Sequence, residues 1–242
     1  MIKVKGLSKQ FGSFKAVDDL SFFIPEGQVF GLLGENGAGK TTTLRMMATM
    51  LQPTSGSIRI HGVNAVHFPE EARAHIGILF GGETGLYDRL TARENILYFA
   101  RLNGMEVKAA NARVERLADQ LEMTEYLDRR SGNFSKGMKQ KVALARSIVH
   151  DPQVMLFDEP TAGLDVTAIR LVHAFIRELK EEGKTIVFSS HTMTEVVALC
   201  DAIGIIDRGK LIEFGSLKDL KNKAPGMSLE EYFLHRISED RR

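Results

Sequence analysis

The nonapeptide Gly34-Glu35-Asn36-Gly37-Ala38-Gly39-Lys40-Thr41-Thr42 decides how this chain is read. It fits G-x-x-x-x-G-K-[ST], a loop whose glycines let successive backbone N–H groups turn toward one anion. In such a loop the lysine ammonium meets the terminal phosphates of a nucleotide, and the following hydroxyl is a ligand for Mg²⁺. The flanks agree with that pattern. Residues 28–33, Gln-Val-Phe-Gly-Leu-Leu, read as a buried strand entering the loop, and residues 42–48 as a helix leaving it. The helix N-terminus adds dipole attraction for phosphate. The competing reading is a glycine-rich turn with no chemistry; the strand–loop–helix setting favours the phosphate cradle. A nucleoside triphosphate with Mg²⁺ is the expected ligand.

Composition narrows what the energy serves. The chain has 242 residues, enough for one large α/β domain with an inserted subdomain. Its net charge is +1, so no global field argues for nucleic acid or an acidic surface. One cysteine, Cys200, excludes an internal disulfide framework and suggests a reducing compartment. Among Val196, Val197 and Leu199 it reads as a buried small hydrophobe rather than a reactive thiol. No apolar run reaches bilayer-spanning length. Lys3, Lys5, Lys9, Asp18 and Asp19 interrupt residues 1–24, so no signal peptide is expected there. A cytoplasmic location follows as the expectation, with any membrane role requiring a partner chain.

Strand-like runs recur at 2–5, 19–24, 28–33, 57–60, 76–80, 154–157, 185–189, 202–207 and 210–214. Pro25-Glu26-Gly27 and Arg208-Gly209 read as hairpin turns. Several runs alternate with helical patterns, which predicts a mostly parallel α/β sheet with an antiparallel layer beside it at the N-terminus. Residues 91–150 differ: Thr91 and Glu94 make a capping box before an apolar stripe, and helices follow over 107–121 and 135–149. Met138, Val142, Ala145 and Val149 recur at helical spacing. The expected organisation is one domain over 1–242. It comprises an α/β core from 1–90 and 151–222 with its antiparallel sheet, a helical insertion over 91–150, and a helical tail over 223–242 opened by Ser228 and Glu231.

Downstream, residues 154–159, Val-Met-Leu-Phe-Asp-Glu, put two carboxylates after four apolar residues. A buried strand delivering Asp158 to the sheet's carboxyl edge suits a Mg²⁺ site, and Glu159 is positioned to polarise an attacking water. A solvated acidic turn is the alternative. Ser135, in Phe134-Ser135-Lys136-Gly137-Met138, is either a helix N-cap or a hydroxyl donor to an anion. His191 closes the 185–189 strand, where it is either a structural histidine or a ligand contact.

Taken together, in this order, these residues resemble the nucleotide-binding subunit of ATP-binding cassette (ABC) transporters, from Ile2 to about Lys221. The resemblance implies a P-loop NTPase (RecA-like) α/β fold and ATP hydrolysis with ATP and Mg²⁺ as cofactors. It implies that Phe11 stacks on adenine, with a core phenylalanine as the alternative. Gly34, Asn36, Gly37, Ala38, Gly39, Lys40, Thr41 and Thr42 would cradle the phosphates, with Thr41 and Asp158 holding the metal. Lys40, Glu159 as base and His191 as γ-phosphate sensor would carry catalysis. Ser135 and Gly137 would contact the nucleotide of a second copy, and Asp165 would lie in an inter-subunit loop. Partners implied are that second copy, in an ATP-sandwich dimer, and an integral-membrane permease.

Two departures stand out. The signature is Phe-Ser-Lys-Gly-Met rather than Leu-Ser-Gly-Gly-Gln, and the family's Q-loop glutamine is absent near Gly82, where Glu83 or a water would substitute. The segment 84–95 resembles the sodium-export NatA branch, which pairs with ABC-2-type permeases and sits at the cytoplasmic membrane face. A drug or lipid is the alternative cargo for such an exporter; two further readings are a soluble cassette acting on nucleic acid or ribosomes, and a clamp that binds ATP without turnover. The single cassette and near-neutral charge weigh against the first. The presence of Glu159 and His191 weighs against the second.

Overall fold

A computed structural model describes residues 1–80, 85–223 and 225–240. Two sheets organise it. The larger has six strands in the order β10-β9-β3-β8-β7-β6. These are β3 (Val29–Leu33), β6 (Ile76–Phe80), β7 (Val154–Asp158), β8 (Thr185–Ser190), β9 (Ala202–Asp207) and β10 (Lys210–Ser216). All its neighbours pair parallel except β9 and β10, which form a hairpin closed by Arg208-Gly209. The smaller sheet is antiparallel, ordered β2-β1-β4-β5, from β1 (Ile2–Phe11), β2 (Phe14–Ile24), β4 (Ser55–Ile60) and β5 (Val63–Asn64).

The strands β3, β7 and β8 are buried along their whole length. That explains their unbroken apolar runs: a parallel strand covered on both faces has no polar side to show. Because side chains alternate across a strand, each feeds two cores. Val29 and Leu33 of β3, with Met155 and Phe157 of β7, face a cluster shared with the helical residues 92–149. Phe30 and Leu32, with Leu156, face the antiparallel sheet, where Phe22 stacks on Phe30 at 5.4 Å between ring centres.

Between β6 and β7 the chain makes α3 (Ala92–Leu102), α4 (Val107–Gln120) and α5 (Lys136–Ile148). Thr91 and Glu94 close the capping box of α3 in both directions, and Ser135 N-caps α5. Val142, Ala145 and Val149 are fully buried and Met138 packs against them, as their spacing predicts. The remaining helices are α1 (Lys40–Met47), α2 (Pro69–Ala74), α6 (Val166–Glu181), α7 (Met193–Leu199), α8 (Leu217–Lys223) and α9 (Leu229–Asp240). Ser228 and Glu231 exchange the expected capping bonds before α9. Among the described residues no helix is long and apolar enough to cross a membrane.

Two local expectations change. Pro25-Glu26-Gly27 is not a hairpin turn, because β2 and β3 belong to different sheets and the turn carries the chain from one to the other. The first two strands run to a tight turn at Gly12-Ser13, well past the predicted 2–5 and 19–24. Register shifts between Val4, Leu7 and Lys9 break the alternation that would have marked their length. Cys200 is buried as expected, and burial pushes its thiol well up. Its sulfur would lie 2.7 Å from any Cβ placed on Gly31.

Candidate functional site: the nucleotide face

The carboxyl ends of β3, β7 and β8 converge beside the start of α1, and every element there has a local reason for its shape. After β3 the chain turns through residues 34–39. Gly39 adopts φ 109°, and a Cβ on it would stand 2.7 Å from the Ala16 carbonyl oxygen. A Cβ on Gly34 would stand 2.3 Å from the Ile206 carbonyl oxygen. Space requires glycine at both positions, and at Gly39 the left-handed backbone requires it as well. The Lys40 side chain is buried, and its Nζ donates to the carbonyls of Gly34 at 2.7 Å and Glu35 at 3.1 Å. Burial lowers the Lys40 pKa, against the upward pull of Glu159 and Asp158.

Asp158 ends β7 as a buried carboxylate. Its Oδ1 accepts from the Ser189 hydroxyl at 2.6 Å and from the Thr41 hydroxyl at 3.1 Å. Two hard oxygens, one ionic, thus lie side by side, a donor set that suits Mg²⁺ completed by phosphate and water oxygens. Glu159 follows in the left-handed region, φ 47°, a conformation that costs a non-glycine residue about 1 kcal/mol or more. Its N–H is held by the Ser189 hydroxyl at 3.0 Å. The strained backbone turns the carboxylate toward Lys40, 3.7 Å away, and toward His191 Nδ1, 3.4 Å away. Lys40, Thr41, Asp158, Glu159 and His191, from three segments of sequence, therefore meet in one place.

A cavity of about 320 Å³ opens over Lys40, Thr41 and Glu159, walled also by Asn36 and Gly37. Its aromatic wall is Phe14, not Phe11. Phe11 lies opposite Phe14 across the hairpin turn and is about half exposed, with Lys9 Nζ 5.0 Å from its ring centre. Phe14 escaped the sequence reading because an exposed aromatic at a strand start carries no periodic signal.

Ser135, Gly137 and Asp165 stand elsewhere. They line a separate concavity of about 570 Å³, none of whose lining residues also lines the nucleotide cavity. The Ser135 hydroxyl accepts from Met138 N at 3.2 Å as an N-cap, and Asp165 caps α6 by accepting from Ala168 N at 2.8 Å. The signature's departure from the family pattern acquires a role here. Lys136 Nζ donates to the Ala162 carbonyl at 2.7 Å, and Gln140 Nε2 to the Pro160 carbonyl at 2.6 Å. Two side chains of α5 thus tie it to the loop that follows Glu159. The region of Gly82 and Glu83, expected to replace the Q-loop glutamine, lies outside the described residues.

The family model described as "ABC transporter" matches residues 17–162, and the chain belongs to that family. Over 98% of its length, and 98% of the relative's, it is 48% identical to the ABC transporter ATP-binding protein NatA of Bacillus subtilis (strain 168). An ATP-binding subunit of an ABC transporter superposes with a TM-score of 0.90 at 29% identity, covering 98% of this chain and 99% of that one. The ATP-binding cassette MJ0796, solved as a dimer in a post-hydrolysis state with ADP and Pi, superposes with a TM-score of 0.80 at 26% identity, covering 90% and 99%. The chain is thus the ATP-binding subunit of an ABC transporter, with a P-loop NTPase fold, and it hydrolyses ATP to ADP and phosphate.

Proposed function

We propose that this subunit works as an ATP-sandwich dimer beneath an ABC-2-type permease and powers export, with the sodium ion as cargo. One observation carries the dimer: Ser135 and Gly137 line a surface that shares no residue with the nucleotide cavity of the same chain. A phosphate held by Lys40 is completed by the α5 tip only if that tip comes from another copy. The dimeric MJ0796 cassette supports the same arrangement. The near full-length likeness to NatA supports the sodium-export branch and location at the cytoplasmic membrane face through the permease.

Within each site, backbone N–H groups of residues 34–42 and the Lys40 ammonium bind the phosphates. Thr41 and Asp158 would hold Mg²⁺, which would supply charge neutralisation to the bound phosphates. Glu159 orients the water and draws its proton. His191, beside Glu159, donates to the γ-phosphate and steadies the charge that develops as the bond breaks. Phe14, in the cavity wall, flanks the base. Association driven by ATP and release after hydrolysis give the permease two states to follow.

The test is to reconstitute the chain with its permease in vesicles and follow ATPase rate and ²²Na⁺ movement. Sodium-stimulated turnover with ATP-dependent sodium transport is the expected result. Turnover indifferent to sodium, with no sodium flux, would reject the cargo. A monomer hydrolysing ATP at full rate, independent of concentration, would reject the dimer.

A further inference from the structure

The loop after β7 and the loop after β8 carry Glu159 and His191, and at their base Glu159 N–H bonds join Glu159 to Ser189. Further out they separate around a cavity of about 420 Å³, bordered by Thr161, His173, Ser190 and Glu195. Glu195, in the first turn of α7, bridges that gap. Its Oε1 accepts from the Thr161 hydroxyl of the first loop and lies 3.3 Å from His173 Nε2 of α6. Its Oε2 accepts from the Ser190 hydroxyl of the second loop at 2.8 Å.

Ser190 is committed in both directions. Its oxygen accepts from Thr192 N at 2.9 Å and its hydrogen goes to Glu195 at 2.8 Å, a shorter path than the 3.4 Å to the Thr192 carbonyl, so the backbone on both sides of His191 is pinned. Thr161 and Ser190 are themselves buried. The Glu195 carboxyl is six-sevenths covered, its side chain 15% exposed. Burial alone would raise its pKa, yet the bonds from His173, Thr161 and Ser190 hold it below the usual carboxylate range. It is therefore an ionised acceptor at neutral pH, and bonds to a charged acceptor are the stronger kind.

We propose that Glu195 is a positioning residue of the ATPase site, clamping the Thr161 loop to the Ser190 loop so that Glu159 and His191 hold one fixed spacing. This rests on the roles given to Glu159 and His191 above. It never touches the nucleotide: its effect passes through Thr161 and Ser190.

Steady-state ATPase assays on the full chain with Mg²⁺-ATP test it, with direct nucleotide-binding measurements and His191→Ala as reference. Glu195→Ala is expected to lower kcat about tenfold to a hundredfold with KM for ATP little changed, because the phosphate cradle is untouched. Glu195→Gln should fall between it and wild type, since an amide offers one acceptor where the carboxylate offers two. Thr161→Val and Ser190→Ala should each cost several-fold in the wild-type background and nothing further in the Glu195→Ala background. Unchanged kcat in Glu195→Ala overturns the proposal, whether or not the melting temperature falls. So does full additivity of Thr161→Val and Ser190→Ala with Glu195→Ala. If His191→Ala itself keeps wild-type kcat, the reading of the site fails and this clamp with it. If His191→Ala is impaired while Glu195→Ala is not, the clamp alone is wrong.

Discussion

The strand ends of the six-stranded sheet and the tip of α5 both carry phosphate-binding residue types, yet they stand in different states in the protomer. At the strand ends each polar group is already engaged by another part of the site: Thr41 and Ser189 on Asp158, His191 and Lys40 on Glu159. At the α5 tip, Ser135 caps its own helix and faces a cavity with no phosphate-loop residue in it. The first region is organised by folding. The second has the donors but needs another molecule to supply the anion. An interface built that way closes only when nucleotide is present, which suits a machine that must open again.

The largest expected effect tests the strand-end region. Glu159→Gln should lower the ATPase rate by about two to four orders of magnitude while ATP binding survives, checked by single-turnover hydrolysis alongside equilibrium binding. Equal rates would mean that Glu159 does no proton chemistry. Next comes the division between the two regions. Lys40→Ala and Ser135→Ala should each be inactive alone, and mixing the two chains should restore part of the activity. Recovery requires one intact cradle facing one intact α5 tip across the heterodimer, so its absence would count against the split site. A smaller effect is expected from Lys136→Ala, which removes the bond to the Ala162 carbonyl. A neutral acceptor at an exposed site is worth about 0.5–1.5 kcal/mol, so kcat should change only a few-fold.

The smallest effect concerns stability. The Asp151 carboxylate, bonded by Lys184, is held below its ordinary range, and Lys184 is buried at the head of β8. A carboxylate depressed in the fold adds stability above its unfolded value, near 4, and loses it as pH falls through the lower folded value. In thermal melts from pH 6 down to pH 2, Asp151→Asn should start less stable and show a shallower acid limb. An unchanged acid limb would mean that this pair contributes nothing to acid sensitivity.

Much of the nucleotide face was legible because its signals are local. Residues 34–42 carry their conformation in their own glycines, and β6 and β9 fall at the predicted residues because solid apolar runs mark strands buried on both faces. The capping boxes at Thr91 and Ser228 were equally readable, since a cap is decided by residues three apart. Legibility failed where the cause is distant. Residues 6–10 look polar and irregular because β1 bulges against two neighbours at once. Val63–Asn64 becomes a strand only because β4 lies beside it. Phe14, rather than Phe11, faces the cavity because of how the hairpin sits over the phosphate loop.

The sequence by itself determined the phosphate loop, the two carboxylates at the end of β7, the order of sheet and helical segments, and membership in the family. Each depends on residues adjacent in the chain or at a fixed period. Tertiary structure alone decided that Thr41, Asp158, Glu159 and His191 meet, that Ser135 does not meet them, and that Glu195 spans the gap between two loops. Those outcomes depend on groups dozens of residues apart, brought within hydrogen-bonding distance by strand order, which no local pattern encodes.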